Sequence, residues 1–88
     1  MKWNYYHKKL EMSLMPLSSI QTGKRARFVS IEGGHELRSR LSAMGLIPGV
    51  EISVLRNSSR GPLLISVMGS SMMLGQGMAE KVLVKQIG

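Results

Sequence analysis

The sequence predicts a mainly β domain, a small barrel of about five strands with one short helix inserted after the first strand. Three observations support this prediction. Several short segments alternate apolar and polar residues, as half-buried strands do. Clusters rich in glycine, proline, asparagine and serine separate these segments. The chain has 88 residues, so its strands are too short for a broad open sheet, and a barrel hides edges that would otherwise pair with other chains.

Residues 1–15 are expected to form an N-terminal extension, disordered or accessory, and the compact domain is expected at 16–88. The extension contains most of the aromatic residues of the chain, which are Trp3, Tyr5 and Tyr6. An interfacial helix is open for it, because several apolar residues have roughly helical spacing. These residues are Trp3, Tyr6, Leu10 and Leu14. A frayed terminus is open as well, because the first residues of a domain are often poorly ordered.

The first part of the domain is predicted to contain one helical turn followed by a strand. Leu17 and Ile20 are spaced i, i+3 and suit a turn that closes the bottom of the core, and Gly23 ends it. The segment Lys24–Ile31 is rich in β-forming residues, but its alternation breaks near Phe28. Either a β-bulge or burial of both strand faces explains that break.

A single helix of about three turns is predicted next. Apolar residues recur at i, i+4 and i+7 along one stripe: Leu37, Leu41 and Met44. Gly45 suits the left-handed residue that follows a helix. Pro48 and Gly49 suit the two central positions of a type II turn, because proline fixes a negative φ and glycine tolerates a positive one.

The remaining sequence predicts the other strands and their turns. Residues 50–54 alternate, and a turn cluster follows at 57–62. In the next strand, residues 63, 65 and 67 face inward and residues 64, 66 and 68 face outward. The chain is predicted to turn at 69–71, to form a short strand at 72–74, to be interrupted at 75–77 and to close with a strand at 81–85.

Charge and composition restrict the function classes. There are 12 Lys+Arg against 5 Asp+Glu, a net charge of +7, which suggests nucleic acid, a membrane surface or an acidic protein as partner. Every acidic residue is a glutamate, so a Ser-His-Asp triad is excluded. The absence of cysteine excludes disulfides and a catalytic thiol. We therefore expect no catalytic residue, no enzyme activity and a reducing cytosolic compartment.

Metal ligands are sparse in the sequence. His35 and Glu36 begin a His-Glu-x-x-His pattern, but Ser39 stands where the second histidine belongs. We assign no metal site and no cofactor, and we name His35 and Glu36 as weak candidates for association with a transition metal such as ferrous iron. The phosphate-binding motif G-x-x-x-x-G-K-[ST] is absent from the sequence.

Residues 16–88 resemble the FeoA domain, a cytosolic accessory of bacterial ferrous-iron uptake. The most specific matching segment is Arg40–Gly49, which contains Leu-Ile-Pro-Gly. Other matching segments are Leu17–Gly23, Ile31–Gly34, Gly61–Gly69 and Ala79–Val84. The resemblance implies an SH3-like barrel. One departure is Gly75-Gln76-Gly77, where many members carry basic residues.

The resemblance also implies a partner, the membrane GTPase permease FeoB, whose transport or nucleotide cycle the protein would modulate. It implies a cytoplasmic location, peripheral at the inner face of the membrane, with membrane contact only through the permease. The oligomeric state is left open.

Four apolar residues of the last strands are the predicted contacts with this partner, as parts of one apolar patch. They are Leu64, Met68, Met72 and Met73. Met72 and Met73 are adjacent, so in a strand they face opposite sides and one of them lies near the surface. The predicted steering residues are Arg38, Arg40 and Arg56.

Two other functions stay open as alternatives, a metal-responsive sensor domain and a basic nucleic-acid-binding module. Arg25 and Arg27 share one strand face, and Lys81 and Lys85 share another, so each pair could follow phosphates. Single-strand binders usually offer several aromatic stacking platforms, but Phe28 is the sole aromatic residue beyond the extension. We therefore expect a solvated basic surface rather than nucleic-acid binding.

Overall fold

The computed structural model describes residues 14–87, and the rest of the predicted extension lies outside them. The strands are β1 (Leu14–Pro16), β2 (Arg25–Ile31), β3 (Glu51–Arg56), β4 (Leu63–Val67), β5 (Ser70–Leu74) and β6 (Val82–Ile87). The helices are α1 (His35–Ala43) and α2 (Gln76–Ala79), and Leu17–Ser19 forms a 3₁₀ turn. Within residues 14–87, neither helix has the length and apolar character that crossing a membrane requires.

All the strands belong to one antiparallel sheet with the order β1-β6-β2-β3-β4-β5. The last of these strands, β6, therefore lies between β1 and β2, and within residues 14–87 the two edge strands are β1 and β5. The inward residues of β2 to β6 share a single apolar core, so the sheet curls around it. The mainly β prediction is confirmed. The described part of the chain forms six strands rather than about five, because β1 lies at the edge of the segment assigned to the extension.

The core consists of aliphatic residues and Phe28. Its members with no exposed surface come from the strands, from α1 and α2, and from the connecting segments: Leu17, Ile20, Ala26, Leu41, Ile52, Leu63, Ile65, Ala79, Val82 and Val84. Burial of one leucine or isoleucine side chain stabilises the fold by about 1.5–3 kcal/mol. The predicted inward set of β4 is confirmed, since its residues 63, 65 and 67 are all buried.

A bulge in β2 resolves the broken alternation near Phe28. The register between β2 and β6 shifts between Phe28 and Ser30. The extra residue, Val29, allows Phe28 and Ile31 to face the core although they are three positions apart. Of the two alternatives that the sequence left open, the structure thus shows the bulge. The strand begins at Arg25, one residue later than predicted.

The backbone after α1 has the conformation that the sequence predicted. Gly45 has φ +96° and Gly49 has φ +95°, both in the left-handed region that favours glycine. The Val50 N–H donates to the Ile47 carbonyl over 3.1 Å, which closes the turn around Pro48 and Gly49. The predicted helical stripe is only partly buried, because Leu41 is inaccessible whereas Met44 remains 37% exposed.

The hairpin between β4 and β5 turns earlier than predicted. Its two central residues are Met68 and Gly69, with φ values of +52° and +84°. Ser70 and Ser71 are the first residues of β5 and not part of the turn. The sequence did not signal this position, because methionine is not a turn-forming residue and Met68 fits the alternation of β4.

The segment after β5 is also more ordered than a simple interruption. Gly75 is the N-cap of α2, and the helix at Gln76–Ala79 occupies most of the predicted interruption. Ala79 is buried, so this short helix closes one end of the core beside the 3₁₀ turn.

Candidate partner-binding surface

The predicted contact residues fall into two groups, at opposite ends of β4. Leu64, near the start of β4, lies in register with Met73 on β5 and with Arg56 on β3. Met73 is 63% exposed, and Leu64 is half-buried beside it. We call these three residues the outer row. Met68 lies beyond the other end of β4, so the predicted residues do not form one continuous patch.

Met72 does not belong to the outer row. It lies in register with the buried Ile65 and packs against the core. The prediction that only one methionine of the adjacent pair lies at the surface is therefore confirmed, with Met73 outside. The grouping of Met72 with Leu64 and Met68 in one apolar patch is corrected, because the strand alternation turns its side chain toward the core.

Met68 occupies a costly position for a methionine. It is 76% exposed, and its φ of +52° places it in the left-handed region. That conformation costs a residue other than glycine about 1–2 kcal/mol. Two-residue hairpins with positive φ at both central positions favour Asn-Gly. Neither the core nor the local backbone therefore accounts for methionine here.

Met68 approaches the segment that follows α1, which contains two more exposed apolar residues. The Met68 sulfur lies 3.9 Å from the point where a Cβ on Gly45 would be. Met44 and Ile47 lie within two residues of Gly45 in the chain and are 37% and 48% exposed. We call Met44, Ile47 and Met68 the Met68 cluster. It adjoins the C-terminal end of α1, the helix that carries Arg38 and Arg40.

The arginines of α1 are exposed, and Arg38 also contributes to a groove of about 340 Å³ between α1 and β2. The other lining residues are mostly apolar: Phe28, Val29, Ser30, Ile31, Ser42, Leu46 and Pro48. An apolar wall beside a guanidinium suits an apolar side chain that has an anionic neighbour. Sequence reasoning missed the groove, because it is formed only when α1 packs beside the bulged end of β2.

His35 and Glu36 lie exposed in the first turn of α1. Among residues 14–87 no group of three or more His, Cys, Asp or Glu side chains is placed to hold a metal ion. Weak metal association at His35 and Glu36 stays a prediction from the sequence.

Asn57 organises the loop that follows β3. Its Nδ2 group donates to the Ser18 carbonyl over 2.9 Å and to the Ile20 carbonyl over 2.8 Å. Its backbone N–H donates to Thr22 Oγ1 over 2.8 Å, and its Oδ1 accepts a bond from Gln76 Nε2 over 3.2 Å. This side chain thus ties the loop beside Arg56 to the segment after β1 and to α2. The sequence indicated only a turn cluster here.

Comparison with known proteins identifies the family to which the sequence is similar. Residues 15–86 match the family model described as the FeoA domain. A protein of Methanocaldococcus jannaschii with the provisional name Fe(2+) transport protein A is 33% identical over 72 residues, which cover 82% of this chain and 87% of that protein.

Solved structures show the same fold. The crystal structure of an iron uptake regulatory protein, FeoA, has a TM-score of 0.79 at 40% identity and covers 84% of this chain and 99% of its own. FeoA of Stenotrophomonas maltophilia, complexed with zinc and described as a procaryotic SH3 domain protein, has a TM-score of 0.72 at 25% identity. That match covers 81% of this chain and 89% of the other. The SH3-like barrel implied by the sequence resemblance is confirmed.

Proposed function

This chain belongs to the FeoA domain family, and from that premise we propose that it is a non-catalytic cytoplasmic accessory of ferrous iron transport. The observation that carries the proposal is the extent of the family match. It spans residues 15–86 and so includes nearly the whole sheet, both helices and the turn at Pro48 and Gly49.

The partner in this proposal is a FeoB-type membrane GTPase permease, whose transport the protein modulates by direct contact. The Met68 cluster is the proposed primary contact. Methionine side chains are flexible and polarizable, and they suit adaptable binding surfaces. A strained, exposed methionine is also the kind of local conflict that proteins tolerate at functional sites.

Charge supports the same surface. Arg38 and Arg40 lie on α1, whose C-terminal end adjoins the Met68 cluster, and both are exposed. Cations beside an apolar contact accelerate encounter with an acidic partner and orient it, more than they add affinity. The outer row, with Arg56 beside Leu64 and Met73, is the proposed second contact, and it reaches the edge strand β5.

The test is co-purification of this protein with the cytosolic part of the permease, followed by measurement of the binding affinity. Met68→Asn should weaken binding by about 5–30-fold, as expected for a central contact residue. The same change should raise the free energy of unfolding by about 1 kcal/mol, because asparagine tolerates the left-handed conformation. Loss of binding by a more stable protein cannot be attributed to unfolding.

Leu55→Thr is the matched control. Leu55 is 46% exposed and belongs to neither contact group, so binding should be unchanged. The proposal fails if the wild-type protein does not associate with the permease and if deletion of its gene leaves ferrous iron uptake unaltered. Equal binding by Met68→Asn and wild type would show that the Met68 cluster is not the contact with the permease.

A further inference from the structure

The outer face of β2 and β6 concentrates positive charge. Arg25 and Arg27 point outward from β2, and Lys85 points outward from β6. Lys85 is the direct register partner of Arg27. We call Arg25, Arg27 and Lys85 the basic face. The sequence placed these lysine and arginine side chains on separate strand faces, and the register of β2 with β6 brings them together.

One carboxylate partly neutralises this face. Glu51 of β3 accepts a hydrogen bond from Arg25 over 2.9 Å and is the register partner of Arg27. Three cations face this one anion, so the face keeps an excess of positive charge. Arg27 donates to the Gly49 carbonyl over 2.9 Å, which leaves its charge in place. Like charges directly opposite each other in neighbouring strands are destabilising. An anion bound from outside would relieve that repulsion.

Apolar side chains alternate with these cations. Leu14 of β1 is the register partner of Lys85 and is 40% exposed. Ile87 of β6 is the register partner of Arg25 and is partly exposed. Cations interleaved with aliphatic side chains are typical of surfaces that rest on anionic bilayers, where the charges meet headgroups and the apolar groups enter the interface.

The amino-acid composition of the sequence before Leu14 agrees with a membrane surface. The chain reaches Leu14 from a segment that contains Trp3, Tyr5 and Tyr6 together with Lys8 and Lys9. Tryptophan and tyrosine are enriched at membrane interfaces. Within residues 14–87 the aromatic residue is Phe28, which is only 3% exposed, so the part of the chain that carries the basic face offers no stacking platform for nucleic acid.

The structure assigns the basic face to the anionic headgroups of a phospholipid bilayer. The sequence resemblance implies only an indirect membrane contact, through the permease, whereas this geometry supports a direct one. Such binding would hold the protein on the surface in which its partner is embedded. The inference goes beyond the proposed function, since it requires no permease.

The experiment is co-sedimentation of the full chain with protein-free vesicles. Vesicles of phosphatidylcholine alone are compared with vesicles containing about 30% phosphatidylglycerol, at low and high salt. We expect binding only to the anionic vesicles, with loss at high salt because the attraction is screened.

Two charge reversals locate the binding surface. Lys85→Glu should weaken vesicle binding about 25-fold, because each basic residue near an anionic bilayer contributes about fivefold and the reversal changes two charges. It also faces Arg27 with an opposite charge, so the fold should be no less stable. Arg40→Glu changes the net charge equally but lies on α1, and it should weaken binding no more than about fivefold.

Equal binding to neutral and anionic vesicles would overturn the inference, as would no binding to either. It would also be overturned if Arg40→Glu and Lys85→Glu had the same effect, since binding would then follow net charge alone. Because the vesicles contain no permease, either this inference or the proposed function can fail without the other.

Discussion

At the scale of single residues, Asn57 carries more of the fold than its place in a loop suggests. Its side chain supplies the donors for the carbonyls of Ser18 and Ile20, and it accepts from Gln76. Three segments that are distant in the sequence depend on this one amide. Its loss would leave two carbonyl groups of the segment after β1 without their protein partners.

Asn57→Ala should therefore lower the free energy of unfolding by about 2–3 kcal/mol, because partly buried acceptors lose their hydrogen bonds. Equilibrium unfolding in urea measures the change. Arg60→Ala, an exposed substitution in the same loop, serves as the control and should shift stability by less than about 0.5 kcal/mol. Equal midpoints for both variants would show that the amide network contributes nothing.

Single residues also show where sequence reasoning succeeds. Gly45, Pro48 and Gly49 were predicted because the backbone conformation they need is a local property. The partners of Asn57 lie up to 39 positions away in the chain, so no local pattern announces them. The positive φ of Met68 could not be predicted either, since the hairpin imposes it on a residue that disfavours it.

At the scale of elements, α1 is held by packing rather than by its own stability. The helix has 9 residues and no side-chain cap at its N-terminus, and helices this short are marginal in isolation. Leu41 is its fully buried residue, and Leu37 packs against the same core from a half-buried position. The groove beside Arg38 depends on this attachment.

Leu41→Ala should destabilise the protein by about 2–5 kcal/mol, because it removes buried methyl groups and leaves a cavity. Urea unfolding followed by circular dichroism measures the loss. Met44 belongs to the same apolar stripe but is the exposed C-cap residue of the helix. We expect Met44→Ala to change the free energy of unfolding by less than about 1 kcal/mol. A small effect of Leu41→Ala would mean that α1 is attached by other contacts.

The elements differ in how well the sequence predicted them. Strands β3, β4 and β6 follow clear alternation, and the structure places each within a few residues of its prediction. The short strand β1 was not predicted, because three residues ending in Pro16 have no periodicity of their own. Its place in the sheet comes from pairing with β6, a tertiary contact.

At the scale of the whole molecule, strand order determines which charges and apolar groups become neighbours. The sequence indicated the barrel, but the outer row and the basic face each combine side chains from different strands. Their composition depends on register, and the bulges in β2 and β3 shift that register. The fold was therefore predictable from local patterns, whereas the binding surfaces required the assembled sheet.

The position of β6 yields a prediction for the whole chain. Deletion of residues 82–88 would remove the pairing partner of both β1 and β2, together with the buried Val82 and Val84. We expect the truncated chain to show no cooperative urea transition. Gln86→Ala, which keeps the strand and alters one exposed side chain, should unfold cooperatively. A cooperative transition in the truncated chain would contradict a central role for β6.

The same arrangement determines when the protein can fold in the cell. Synthesis reaches β6 after every other strand of the sheet, so β1 and β2 acquire the strand that joins them only once β6 has been made. Pairing between strands so distant in the sequence is slow, because the long loop must close first. The sheet therefore closes only after β6 has left the ribosome, and any chaperone that helps must shield the unpaired borders of β1 and β2 until then.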